Sequence, residues 1–175
     1  IGIGGWTLIS GTGTITSPTS AVTTVTALGF GVNTFEWAIT NGVCPPSTAN
    51  VQITVDPLPT PAVAGPNQTV CISGGVTMAA NNAAVGTGSW SVVSGSGTIA
   101  NINLETTTIS GLSLGANVFA WTIFSSCGSS TSNVTITAQP APSTATASPN
   151  QTICVSTTST SISGNIPAVG SGIWT

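Results

Sequence analysis

Lysine, arginine, histidine and tyrosine are all missing from this chain, and across 175 residues only Glu36, Asp56 and Glu105 carry charge. Each absence removes a class of function. A nucleic-acid partner would need Lys or Arg to neutralise phosphates, so none is expected. Ser, Thr and Cys are available as nucleophiles, but no His or Lys accompanies them as a base. Glycoside hydrolysis normally uses two facing carboxyl groups, whereas the three acids here are scattered and read as isolated surface charges. Calcium sites usually gather several carboxylates, and zinc sites gather closely spaced Cys or His. The cysteines at 44, 71, 127 and 154 offer no CxxC pair. The chain therefore reads as neither an enzyme nor a holder of a metal or cofactor. Gly, Ser, Thr or Pro interrupts every apolar run well before the ~18 residues of a membrane span. The mean hydropathy of +0.46 comes from dispersed Val, Ile and Ala on a Thr-rich background.

What the chain does have is a period. The openings "IGIGGWT", "VGTGSWS" and "VGSGIWT" place Trp6, Trp90 and Trp174 at intervals of 84 residues. Trp37 in "NTFEWAIT" and Trp121 in "NVFAWTIF" keep that interval, as do Ile15 and Ile99, and Leu28 and Leu112. One residue is then lost, so that Cys44 and Cys127, "STANVQITV" and "STSNVTITA", and "GPNQTVC" and "SPNQTIC" are each 83 apart. A repeat of this length is a module rather than the rung of a solenoid.

Two Pro-rich stretches, "DPLPTPA" from Asp56 and "QPAPSTA" from Gln139, punctuate the repeat. Such runs are stiff, extended and poor in hydrogen-bond donors, which suits short linkers. From linker to linker, residues 1–57 are the back part of one module, 61–140 a complete one and 144–175 the front of a third. On that phasing the chain reads as a window from a longer repetitive protein.

Within the complete module the pattern is β throughout. In "NVFAWTIF" Phe119, Trp121 and Ile123 alternate with Val118, Ala120 and Thr122, and "NVTITA" sets Val134, Ile136 and Ala138 on one face. Shorter strands are expected at 68–72, 76–80, 89–93, 98–100 and 106–109, separated by Gly, Ser and Asn. About seven short strands in some 80 residues indicate an immunoglobulin-like β-sandwich. The fold class expected is all-β: tandem immunoglobulin-like modules of about 84 residues joined by short Pro-rich linkers. Trp6, Trp37, Trp90, Trp121, Phe119 and Ile123 are read as core. A sugar-stacking platform is the alternative for the four tryptophans.

The cysteines point to covalent structure. One of each pair of equivalents sits in "QTVC" or "QTIC" near a module's start, the other in the loop after the "FxW" strand. A staple within the module, Cys71 to Cys127, is favoured because the loop between the last two strands lies at the pole where the first strand starts. Closing a loop of this size would contribute about 4 kcal/mol. Links across the linkers, Cys44 to Cys71 and Cys127 to Cys154, also fit the spacing, and four buried free thiols are a further reading. Disulfides would place the chain in an oxidising, extracellular or cell-surface location.

The succession "GGWTLISGTGTI", "TTVTALGFGVNTFEWAITNGVCPPSTANVQITV" and "AVAGPNQTVC" resembles the PKD-like or Ig-like tandem repeats of very large surface proteins of gliding Bacteroidota, exported by the type IX route. The resemblance implies an extracellular, adhesive or stalk-forming protein. Its partners would be neighbouring modules or copies of the same protein, with a glycan or surface ligand as the alternative. A net charge of only −3 leaves little repulsion between copies.

Overall fold

A computed structural model describes residues 2–157 and 159–175. Among them every regular element is a strand. The chain divides into two compact units. The first comprises residues up to Thr60 together with Ala84–Gly86 and Phe124–Ser129, and the second Pro61–Ala83, Thr87–Ile123 and Ser130–Thr175.

The first unit is built on β1 (Ile3–Ser10), β2 (Thr14–Ile15), β3 (Val25–Thr26), β4 (Gly31–Asn41) and β5 (Cys44–Val55). Its main sheet has the order β1-β4-β5, antiparallel throughout, with β2 and β3 forming a small ribbon. Trp6 lies directly across from Trp37. A two-residue turn, Gly42 and Val43, closes the β4–β5 hairpin between Asn41 and Cys44, with Gly42 in the left-handed conformation such turns require (φ 59°). The one residue by which the repeats differ falls in this hairpin, whose register shifts between Ile39 and Asn41.

Strands β6 (Gln68–Cys71), β7 (Val76–Thr77), β8 (Thr87–Ser94), β9 (Thr98–Ile99), β10 (Thr108–Ser110), β11 (Gly115–Ser125) and β12 (Gly128–Gln139) follow. They form a four-stranded sheet, β6-β12-β11-β8, and a three-stranded sheet, β7-β10-β9. This is the immunoglobulin strand order, with the first strand laid on the last. The expected strand at 76–80 is regular only through Thr77, yet its pairing continues, since Met78 and Ala80 N–H donate to the carbonyls of Thr107 and Glu105.

The second unit's core lies between its two sheets. Trp90 from β8, Phe119, Trp121 and Ile123 from β11, and Val134, Ile136 and Ala138 from β12 meet Val76 and Ile109 from the facing sheet, with Ala64, Met78 and Leu112 from the connections. The apolar alternation along β11 and β12 puts these side chains on one face, and their removal from water is the main stabilising term.

Candidate functional site

The tryptophans are structural in placement. Trp90 and Trp121 are buried and tilted against one another at 46°, their ring centroids 5.1 Å apart. The Trp90 indole N–H donates to the Leu104 carbonyl (3.0 Å) and that of Trp121 to the Asn81 carbonyl (3.2 Å). Gly88 is the residue that lets Trp121 lie flat, because a Cβ there would stand 2.0 Å from the ring. Trp6 and Trp37 repeat the pair at 5.1 Å and 45°, with Gly4 in the role of Gly88. Both are only half-buried, and the Trp6 indole N–H, itself enclosed, has no acceptor.

Each unit also holds a buried asparagine that sequence reasoning passed over. Asn117 Oδ1 accepts from the N–H groups of Ser96 (2.9 Å) and Ser113 (3.2 Å), while its amide donates to the carbonyls of Ser113, Gly115 and Ile136. Asn33 does the same with the Thr12 N–H and the carbonyls of Gly29, Gly31 and Ile53. In the second unit the side chain thereby satisfies backbone groups of two loops, before β9 and before β11, and ties them to the neighbouring strand β12. The recurrence of Asn at an interval of 84, in "GVN" and "GAN", is the signal that would have found it.

The cysteines correct the sequence reading. All four are exposed free thiols, and the expected Cys71–Cys127 staple is absent. Cys71 ends β6 rather than beginning it, and β6 runs parallel to β12 with Cys71 opposite Gln139. Cys127 precedes Gly128, where β12 starts. A strand of this length separates the two by roughly 35 Å at ~3.3 Å per residue. Instead, the Cys71 thiol is held below its usual pKa by a hydrogen bond with the Ser73 hydroxyl and then by that residue's backbone. Cys127 Sγ lies 3.2 Å from the Asp56 carbonyl oxygen, and the Asp56 carboxylate accepts from the Ser126 hydroxyl at 2.7 Å.

Among the described residues no group of three or more His, Cys, Asp or Glu could hold a metal ion, and no helix is long and apolar enough to cross a membrane. The features able to recognise a partner are an edge and a face. In the first unit β5 is the outer strand of its sheet. Beside it a groove of about 280 Å³ is lined by Trp6, Ile15, Val25, Phe35, Val51 and Ile53. In the second unit residues between Pro142 and Trp174 line a cavity of about 490 Å³, with Trp174 largely exposed.

The strand order defines an all-β chain of immunoglobulin-like character. No family model and no curated protein matches it. Similar solved structures include a chimeric titin Z1Z2–Z1Z2 tandem functionalised with a GRGDS peptide from fibronectin (11% identity, TM-score 0.37, covering 79% of this chain and 84% of that one). Another is the insect immune protein hemolin (12% identity, TM-score 0.40, 79% and 40%). A third is an endo-fucoidan hydrolase of glycoside hydrolase family 107 (19% identity, TM-score 0.31, 79% and 24%). At these identities the likeness is one of fold alone.

Proposed function

We propose that this chain is a structural repeat region of an extracellular surface fibre or stalk, in which immunoglobulin-like modules follow one another in series. The observation that carries this reading is duplication without a reactive centre. The same tryptophan pair, the same glycine beneath it and the same buried asparagine recur in both units. What is kept from repeat to repeat is therefore scaffold. The Pro-rich stretches at 56–62 and 139–145 are the stiff connectors such a stalk needs. The motif resemblance to secreted repeats of gliding Bacteroidota supports a surface location, as does the lack of any Lys or Arg at which trypsin-like proteases could cut.

The work of such a region is mechanical: stability is close to a sum of module and neighbour terms, and reach grows with repeat number. Small-angle scattering of chains carrying two, three and four repeats tests it. The expected maximum dimension rises by an equal step per repeat. A dimension that levels off as repeats are added would overturn the stalk.

A further inference from the structure

The complete module carries two cysteines, and they stand at its opposite poles. Cys71 closes β6 and lies directly across from Gln139, the last residue of β12. One peptide further on, the Ile72 N–H donates to the Gln139 carbonyl at 2.8 Å. Cys127 sits in the turn between β11 and β12, a strand's length away. Both thiols are exposed. A cysteine kept only for packing is among the most deeply buried of residues, so exposure at two matched positions calls for another role.

The first unit shows what meets the end of a module's last strand. Cys127 Sγ lies 3.2 Å from the Asp56 carbonyl oxygen, and the Ser126 hydroxyl donates to the Asp56 carboxylate at 2.7 Å. Asp56 directly follows β5 and is the equivalent of Gln139, 83 residues earlier. One position of the repeat is thus met by two cysteines. The β6 cysteine of its own module lies beside it, as at Gln139, and the turn cysteine of the next module reaches it, as at Asp56. A carbonyl oxygen has two lone pairs, so it can accept from the Ile72 N–H and from a thiol together. The incoming sulfur then arrives beside the peptide bond that follows Cys71.

We propose that, wherever one complete module follows another, Cys71 of the first is joined by a disulfide to the equivalent of Cys127 in the second. The bond rests on the reading of the chain as modules in series and adds to it a covalent tie at each junction. It is distinct from a staple within one module, whose two cysteines lie at opposite poles. Together with the Pro-rich connector it holds each junction at two points.

Cys71 is suited to start the exchange. The Ser73 hydroxyl, 3.3 Å from its sulfur, favours the thiolate that attacks. The oxidant required is a small disulfide, for which oxidised glutathione serves. One thiolate attacks it, forming a mixed disulfide and releasing one reduced glutathione. The second thiolate displaces the other glutathione, so that two protein thiols become one disulfide and two reduced glutathiones are formed.

The pair assembles only where two complete modules stand in series, so the test lengthens the chain by one of its own repeats, with residues 1–143 followed by 61–175. In one version every cysteine is replaced by serine except Cys71 of the first copy and Cys127 of the second. In the reversed version only Cys127 of the first copy and Cys71 of the second remain. The replaced cysteines are all exposed, so serine leaves the cores intact. After oxidised glutathione at micromolar protein, the facing pair should give a monomer whose mass shows an internal disulfide and no attached glutathione. A peptic digest, needed because trypsin has no Lys or Arg to cut at, should yield a linked Cys71–Cys127 peptide. The reversed pair should carry glutathione on both thiols. So should the 175-residue chain with Cys44→Ser and Cys154→Ser, where Cys71 and Cys127 share one module. Glutathione on both thiols of the facing pair, links formed only between chains, or the same internal link in either control would each overturn the bond. Equal scattering steps per repeat together with any of those results would remove the bond and leave the stalk intact.

Discussion

A missing side chain sets the geometry at Gly88. With no Cβ, the backbone of β8 can pass over the Trp121 ring, and any larger residue would meet Cζ2 at 2.0 Å. The ring cannot retreat, because Trp90 lies on it and its indole N–H is committed to Asn81. Gly88→Ala is therefore expected to destabilise the second unit by about 2–3 kcal/mol, the usual cost of overpacking a closed core. Urea unfolding followed by tryptophan fluorescence measures it. Gly115→Ala makes the comparison: it meets no neighbour, but its backbone sits at φ 88°, so it reports the conformational cost alone. Only the core position should broaden the tryptophan emission of the native state.

At the scale of elements, strand pairing separates two stretches that sequence makes nearly equivalent. Thr137, Ala138 and Gln139 have β6 beside them, whereas Thr54, Val55 and Asp56 have an open edge. In dilute, reduced protein, hydrogen exchange should be slow along β12 and fast at the end of β5. A dilute sample equally protected at both sites would show that the β5 edge is already covered. The strands themselves were legible, because Phe119, Trp121 and Ile123 alternate with smaller residues and Gly and Asn mark the ends. The partner of each strand was not, since alternation tells which face is buried and says nothing of the neighbour in the sheet. That gap moved Cys71 to the wrong pole: "QTVC" reads as a strand, and only its parallel register on β12 shows that the cysteine closes it. Asn33 and Asn117 were hidden for another reason. A polar residue just after a strand's opening glycine looks like loop until its amide is seen inside the turn.

For the molecule as a whole, the two units hold unequal cores although their sequences are close. The second has both sheets and a closed cluster, while the first has one main sheet with an exposed apolar face. The chain is therefore expected to unfold in two transitions, with Trp6 and Trp37 released before Trp90 and Trp121. Thermal melts of Trp37→Phe and Trp121→Phe chains assign each transition, and a single coincident transition would show the units to be one cooperative body. The parallel seating of β6 on β12 also sets how the second unit would bear a load. Tension drawing β6 back by its leading end and β12 forward by its trailing end would slide the two strands past one another, so their ladder bonds would be loaded together and not peeled apart in turn.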